Sequence, residues 1–202
     1  MKNYLKFIKS NHAADKGFTL IEILVAAVIM SMVVTLAGTA FVALLQQNQK
    51  AKAESDRRTN LNRALDYMAN EIRMAKKIES PTVAGEVIKL TLPDNSTVSY
   101  SIANSTGVWE GPQSIKRGSD FLVDGMQAPT SASPTCPTPT PAPTPPHQLV
   151  GSNGFYACIY SGGKKVDLYL YGKLSDEPRD PDYNKRLEVK STVYTRANEL
   201  NP

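Results

Sequence analysis

The first feature of the hydropathy pattern is an apolar run, KGFTLIEILVAAVIMSMVVTLAGTAFVALL, over residues 16–45. No charged residue lies from Ile23 to Leu45, and about 23 residues at 1.5 Å each are enough to cross a bilayer core of about 30 Å. A secretory signal would have a shorter apolar core and a small-residue cleavage site. We therefore predict a transmembrane helix, in which the acid Glu22 needs an explanation.

A one-sided helical pattern follows the apolar run. The composition turns polar after Gln46, while apolar residues recur four, three, four and three positions apart, at Leu61, Leu65, Met68, Ile72 and Ala75. This spacing is typical of an amphipathic helix with one buried stripe. No proline lies between Phe18 and Ser80, so we expect one helix from about Phe18 to about Ile78, ended by Pro81.

Beyond Pro81 the pattern changes to alternating strands. EVIKLTL, the turn PDNS and TVSYSI predict a hairpin over residues 86–102, and one or two short strands are expected near residues 108–125. A second hairpin is predicted from the segments GFYACIY and VDLYLYG with the turn SGGK between them. A final strand is predicted from RLEVKSTVYT. The tract at 129–146 is too rich in proline for a sheet interior and predicts an extended surface loop. We expect an α+β fold, with an antiparallel sheet resting on the amphipathic half of the helix.

Charge and composition narrow the function. The net charge is +4, but four lysines and one aspartate lie in the first 17 residues, so the remainder is nearly neutral. A nucleic-acid-binding surface is therefore not supported. The histidines are His12 and His147, which leaves little material for a catalytic triad or a histidine metal site. We expect a protein that is not an enzyme.

The two cysteines, Cys136 and Cys158, are too far apart for a CxxC motif. Both follow the apolar segment, and an exported pair usually forms a disulfide. The alternative is two unpaired thiols, one in a strand and one in a loop.

The segment KGFTLIEILVAAVIM explains the position of the acid. A basic leader ends in Gly17, Phe18 follows it, and Glu22 is the fifth residue after that glycine. This arrangement closely resembles the cleavage and methylation segment of type IV prepilins and type II secretion pseudopilins. NLNRALDYMANEIRMAKKI and STVYTRAN resemble the larger minor pilins and pseudopilins, with less specificity.

The resemblance implies a processing route and a domain organisation. A membrane prepilin peptidase would cut between Gly17 and Phe18 and methylate the new amine, which keeps its positive charge. We expect a leader at 1–17, a transmembrane or filament-core helix at 18–45, an amphipathic half at 46–80 and a sheet head at 81–202. The lysine-rich leader would stay in the cytoplasm and the head would lie in the periplasm, making a single-pass inner-membrane protein that later enters a fibre.

The resemblance also implies a partner for Glu22, the N-terminal ammonium of an adjacent subunit, which would neutralise the carboxylate and fix the axial register of the subunits during assembly. A carboxylate within the bilayer costs about 2.5–3.5 kcal/mol on insertion scales, so a partner would be favourable. The alternative is an interfacial acid that reaches the headgroups without a partner.

Two further patterns have a functional and a plainer interpretation. One loop holds four acidic residues, Asp176, Glu177, Asp180 and Asp182, which could bind calcium as a loop in some pseudopilins does. Their spacing matches no defined calcium-binding loop. A solvated loop is therefore favoured, and no cofactor is expected. Tyr156, Tyr160, Tyr169 and Tyr171 lie at strand spacing; they could form a sugar or peptide platform, but cross-strand aromatic pairs are commoner.

The leading functional hypothesis is a structural minor pilin or pseudopilin in a type IV pilus-like or type II secretion-like fibre. Its expected partners are the prepilin peptidase, other pilin subunits and an inner-membrane assembly platform. The alternative is a membrane-tethered domain that binds a ligand outside the cytoplasm. The N-terminus of the mature protein distinguishes the two.

Overall fold

A computed structural model describes residues 17–137, 147–175, 180 and 182–196. The chain divides into two units, Met1–Gln49 and Lys50–Pro202. One long helix, α1, spans Leu20–Met74. Its residues up to Lys50 are exposed, as are most of those up to Asn60, and its buried residues all lie between Leu61 and Ile72. The leader, except for Gly17, lies outside the described residues.

Nine strands form one antiparallel sheet among the described residues. Their bounds are β1 Lys77–Glu79, β2 Glu86–Thr91, β3 Thr97–Asn104, β4 Gln113–Arg117, β5 Asp120–Met126, β6 Gln148–Ser152, β7 Phe155–Ile159, β8 Lys165–Lys173 and β9 Arg186–Tyr194. The order is β1-β2-β3-β4-β5-β8-β7-β6, and β9 pairs with β8. The α+β prediction, both predicted hairpins and the final strand are confirmed.

The buried stripe of α1 forms the core with the sheet. Leu61, Met68 and Ile72 have no exposed surface, and Leu65 is 7% exposed. They belong to one apolar cluster with strand residues such as Ile88, Tyr100, Ile115, Leu168 and Leu170. The predicted stripe is therefore confirmed as the face that the sheet covers.

The predicted end of the helix, about Ile78, is wrong. The helix ends at Met74, and the next residues join the sheet: the Lys76 amide donates to the Thr91 carbonyl at 2.8 Å, and Ile78 lies opposite Leu90. Ile78 is buried in the strand, and its position three residues after Ala75 would also fit the buried stripe of a longer helix, so hydropathy did not separate the two outcomes. A backbone partner distant in sequence decided between them.

The sheet curls so that the two ends of its strand order meet. The Ile78 amide donates to the carbonyl of Gly163, in the turn between β7 and β8, at 2.8 Å, and the Ser80 hydroxyl donates to Gln148 at 2.6 Å. Gly163 has φ +65, and a Cβ atom there would lie 2.4 Å from the Ile78 carbonyl oxygen. Glycine is therefore needed where the sheet closes.

Strand β6 was not predicted. It begins directly after the proline-rich tract and pairs with β7 through a two-residue turn, Asn153–Gly154, in which both residues have positive φ. Asparagine followed by glycine favours this tight hairpin. Residues 129–137 contain no strand, as expected, and 138–146 lie outside the described residues.

Candidate functional site

The residues around the predicted cleavage point are exposed. Gly17, Phe18 and Thr19 precede the helix, and Phe18 is 82% exposed. Apart from its chain neighbours, no described residue has an atom within 4 Å of the position that a Cβ would take on Gly17. Among the described residues, nothing covers the Gly17–Phe18 peptide bond.

Thr19 and Glu22 form a capping box at the start of α1. The amide and hydroxyl of Thr19 donate to Oε2 of Glu22 at 2.9 and 3.0 Å, and the Glu22 amide donates to the Thr19 hydroxyl at 3.3 Å. These bonds satisfy amides that the first helical turn leaves without partners. Neither interpretation of Glu22 from the sequence included this role, although the spacing Thr-x-x-Glu indicates it.

The apolar half of α1 exposes large side chains on every side. The exposed set includes consecutive residues, such as Ile23, Leu24 and Val25, which point in different directions around the helix. By length and composition, α1 is long and apolar enough to cross a membrane, and it is the one such helix in the described part of the chain. A helix that is apolar all round needs a lipid or protein environment.

The few polar side chains in this half are satisfied within the helix. The hydroxyls of Ser31, Thr35 and Thr39 donate to the carbonyls of Val28, Ser31 and Leu36 at 2.7–2.9 Å. They therefore need no water, which suits an apolar environment.

The predicted disulfide is present. Cys136 and Cys158 are bonded, with Cα atoms 5.5 Å apart. Cys158 is fully buried in β7, so the bond fastens the segment that follows β5 to the sheet. The alternative of two free thiols is wrong.

The acidic loop is described in part. Asp180 accepts a hydrogen bond from Lys50 at 2.8 Å, which lowers the pKa of that carboxyl group, and Asp182 pairs with Lys185 at 2.7 Å. Asp176 and Glu177 lie outside the described residues. Within the described ones, no group of three or more acidic, histidine or cysteine residues could hold a metal ion, and calcium binding stays an untested proposal.

The four tyrosines contact one another or neighbouring strands. Tyr156 lies opposite Tyr169, and its ring meets that of Tyr171 edge to face, with centroids 6.0 Å apart. The Tyr160 hydroxyl donates to the buried Asp167 at 2.6 Å. This arrangement favours the cross-strand interpretation over an open platform.

Residues 13–38 match the sequence profile of the prokaryotic N-terminal methylation motif. The matched range contains Gly17, Phe18, the capping box and most of the apolar half of the helix. No curated protein and no solved structure is significantly similar to the chain. The chain is thus an α+β, pilin-like protein whose N-terminal segment is that of the type IV pilin and pseudopilin family.

Proposed function

We propose that the protein is a minor pilin or pseudopilin, a structural subunit rather than an enzyme. In this proposal a prepilin peptidase removes residues 1–17 and methylates Phe18, the chain resides in the inner membrane with its head in the periplasm, and an assembly platform builds it into a fibre with other pilin subunits. The N-terminal methylation motif supports the processing steps.

The observation that carries the proposal is the exposed apolar half of α1. Burying a large aliphatic side chain is worth about 1.5–3 kcal/mol, so a helix that leaves its whole circumference exposed gains much from any apolar environment. A bilayer provides that environment before assembly, and sister helices provide it within a fibre. A plain anchor would need the bilayer alone.

The capping box is compatible with a second role for Glu22. Both Thr19 donors use Oε2, and no described residue donates to Oε1. In the fibre, Oε1 would accept from the Phe18 ammonium of an adjacent subunit while Oε2 continues to cap the helix. The pairing would neutralise a carboxylate in an apolar environment, where an unpaired charge is costly.

Processing is tested by mass spectrometry of the mature N-terminus. We expect a chain that begins with N-methylated Phe18, and replacement of Gly17 by Leu should leave the full precursor in the membrane. An intact leader on the wild-type protein would refute the proposal and favour a membrane-tethered binding domain.

Assembly is tested with Glu22→Ala. We expect less of this variant in sheared fibres, with normal membrane insertion and a folded head, because the removed carboxylate lies outside the sheet-covered part of α1. Glu54→Ala is the matched control, since Glu54 is an exposed acid on the same helix with one weak ion pair, to Arg58 at 3.8 Å. Equal incorporation of both variants would show that Glu22 has no role in subunit pairing.

A further inference from the structure

A cavity of about 410 Å³ lies on the head, between α1 and strand β5. Asn60, Arg63 and Tyr67 line it from one face of the helix, Trp109 lines it from the loop between β3 and β4, and Leu122 and Val123 contribute apolar surface. Its size falls within the range of about 300–1,000 Å³ that is typical of small-molecule sites.

The wall that carries Trp109 is held in place by Arg57. The Arg57 side chain is 14% exposed; it donates to the Asp124 carboxylate at 3.0 Å and forms an ion pair with Glu110, the neighbour of Trp109. The Glu110 amide donates to Asp124 at 2.9 Å. The Trp109 ring also stacks on Phe121, with centroids 5.2 Å apart. This wall is therefore preorganised, which lowers the entropy cost of binding.

Several donors beside the cavity are free for a ligand. Within the part of the chain that the structure describes, the side chains of Asn60 and Arg63 and the indole nitrogen of Trp109 have no hydrogen-bond partner. Asn60 and Arg63 are exposed on the helix, so they are solvated and do not support the core. An aromatic surface with such donors around it matches a ligand that has an apolar face and a polar rim.

The charges around the cavity balance one another, which favours a neutral ligand. The lining holds one cation, Arg63, and one anion, Asp124. Arg57, in the adjoining wall, pairs with both Asp124 and Glu110, so the two cations, Arg57 and Arg63, are matched by two anions. Addition of a peptide strand to β5 is disfavoured beside the cavity, because the Asp124 carbonyl already accepts from Arg57 at 3.1 Å and the Gly125 amide donates to the Glu110 carbonyl at 3.1 Å. A pyranose ring has a face of C–H groups that packs on an aromatic ring and hydroxyls that bond to amide and guanidinium groups.

We propose that this cavity binds a neutral oligosaccharide, with its sugar rings against Trp109 and Tyr67 and its hydroxyls bonded to Asn60 and Arg63. The inference goes beyond the fibre role and does not depend on it. A fibre subunit and a tethered domain could both present this site.

The test uses the full mature chain in detergent. Trp109 is the only tryptophan, so in the folded protein the tryptophan emission comes from the wall of the cavity. Cellotetraose, maltotetraose and chitotetraose are titrated separately to about 10 mM, at which a site with a Kd of about 1 mM is nine-tenths filled. We expect a saturable change in emission with at least one of them, and a much weaker response to the anionic tetragalacturonic acid.

Variants then locate the binding. Arg63→Ala and Tyr67→Ala should each raise the Kd by about ten-fold or more, measured by calorimetry, because each removes a proposed contact. Arg58→Ala is the control: Arg58 is also a basic residue on α1, outside the cavity lining, and this variant should bind as the wild type does. All three positions are on the surface, and near-UV circular dichroism verifies that each variant is folded.

Three results would overturn the proposal. One is the absence of any saturable change with the neutral tetrasaccharides. Another is binding that Arg63→Ala and Tyr67→Ala leave unaltered, or that tetragalacturonic acid matches. The third is emission that responds to protein concentration but to no sugar, which would mean that a second copy of the chain covers the cavity.

Discussion

Glu71 joins the helix to the sheet, and its removal should destabilise the head. Its carboxylate accepts two hydrogen bonds from Arg117, at 2.9 and 2.6 Å, and one from the hydroxyl of Tyr100. The Tyr100 ring is fully buried, whereas the Arg117 side chain is 34% exposed. The hydrogen bonds to Glu71 raise the pKa of Arg117. The pKa of Tyr100 is also raised, mainly by burial and in smaller part by its hydrogen bond to the Glu71 carboxylate.

The expected loss follows from which groups can regain water. Glu71→Ala leaves the buried Tyr100 hydroxyl without an acceptor, at a cost of about 1–3 kcal/mol, while Arg117 is exposed enough to be hydrated in part. Together with the lost charged hydrogen bonds, the free energy of unfolding should fall by about 3 kcal/mol. That is a large share of the 5–15 kcal/mol typical of a domain. Glu71→Gln keeps one acceptor oxygen and should lose about half as much.

The assay is urea unfolding of the full mature chain in detergent, followed by Trp109 emission, which reports on the head. Tyr100→Phe removes the hydroxyl, so the loss caused by Glu71→Ala should be smaller in that background by about 1 kcal/mol. Asp66→Ala, at an exposed acid on the same helix, should change the free energy of unfolding by less than about 0.5 kcal/mol. Additive effects of the Glu71 and Tyr100 changes, or a loss below about 1 kcal/mol for Glu71→Ala, would refute the reasoning.

Three further predictions concern other parts of the molecule. Replacing Cys136 and Cys158 by Ser opens a loop with a sequence separation of 22 and should lower the free energy of unfolding by about 3 kcal/mol in urea titrations; an unchanged urea midpoint would contradict this. Burial raises the pKa of Tyr171 to about 12, from about 10 in the unfolded chain. The stability that depends on its protonated hydroxyl is therefore complete below about pH 10 and is lost as the pH rises through about 12. Tyr171→Phe should make the free energy of unfolding less dependent on pH between about pH 10 and 12. Thr19→Ala removes the cap and should speed amide exchange in the first two helical turns about five-fold, while Thr19→Ser should not; equal exchange in both would exclude a capping role.

The sequence alone predicts the features that depend on local pattern. The length of the apolar run and the lysine-rich leader indicate a membrane-spanning helix, and the Gly17–Phe18–Glu22 spacing indicates the processing motif. The spacing of the stripe from Leu61 to Ile72 identifies the buried face. Alternating residues with turn signals between them predict both hairpins. In each case the residues that decide the outcome are near one another in the chain.

The tertiary structure decided the features that depend on distant partners. Residues Lys77–Glu79 form a strand because β2 and the turn around Gly163 offer backbone partners, and this overrides the local helical pattern. The cavity beside Trp109 exists because Arg57, on the helix, ties Glu110 to Asp124, and these residues are far apart in the sequence. A lone tryptophan in a loop carries no such information by itself. Backbone pairing and ion pairs between remote segments are formed only when the chain folds, so the hydropathy pattern does not encode them locally.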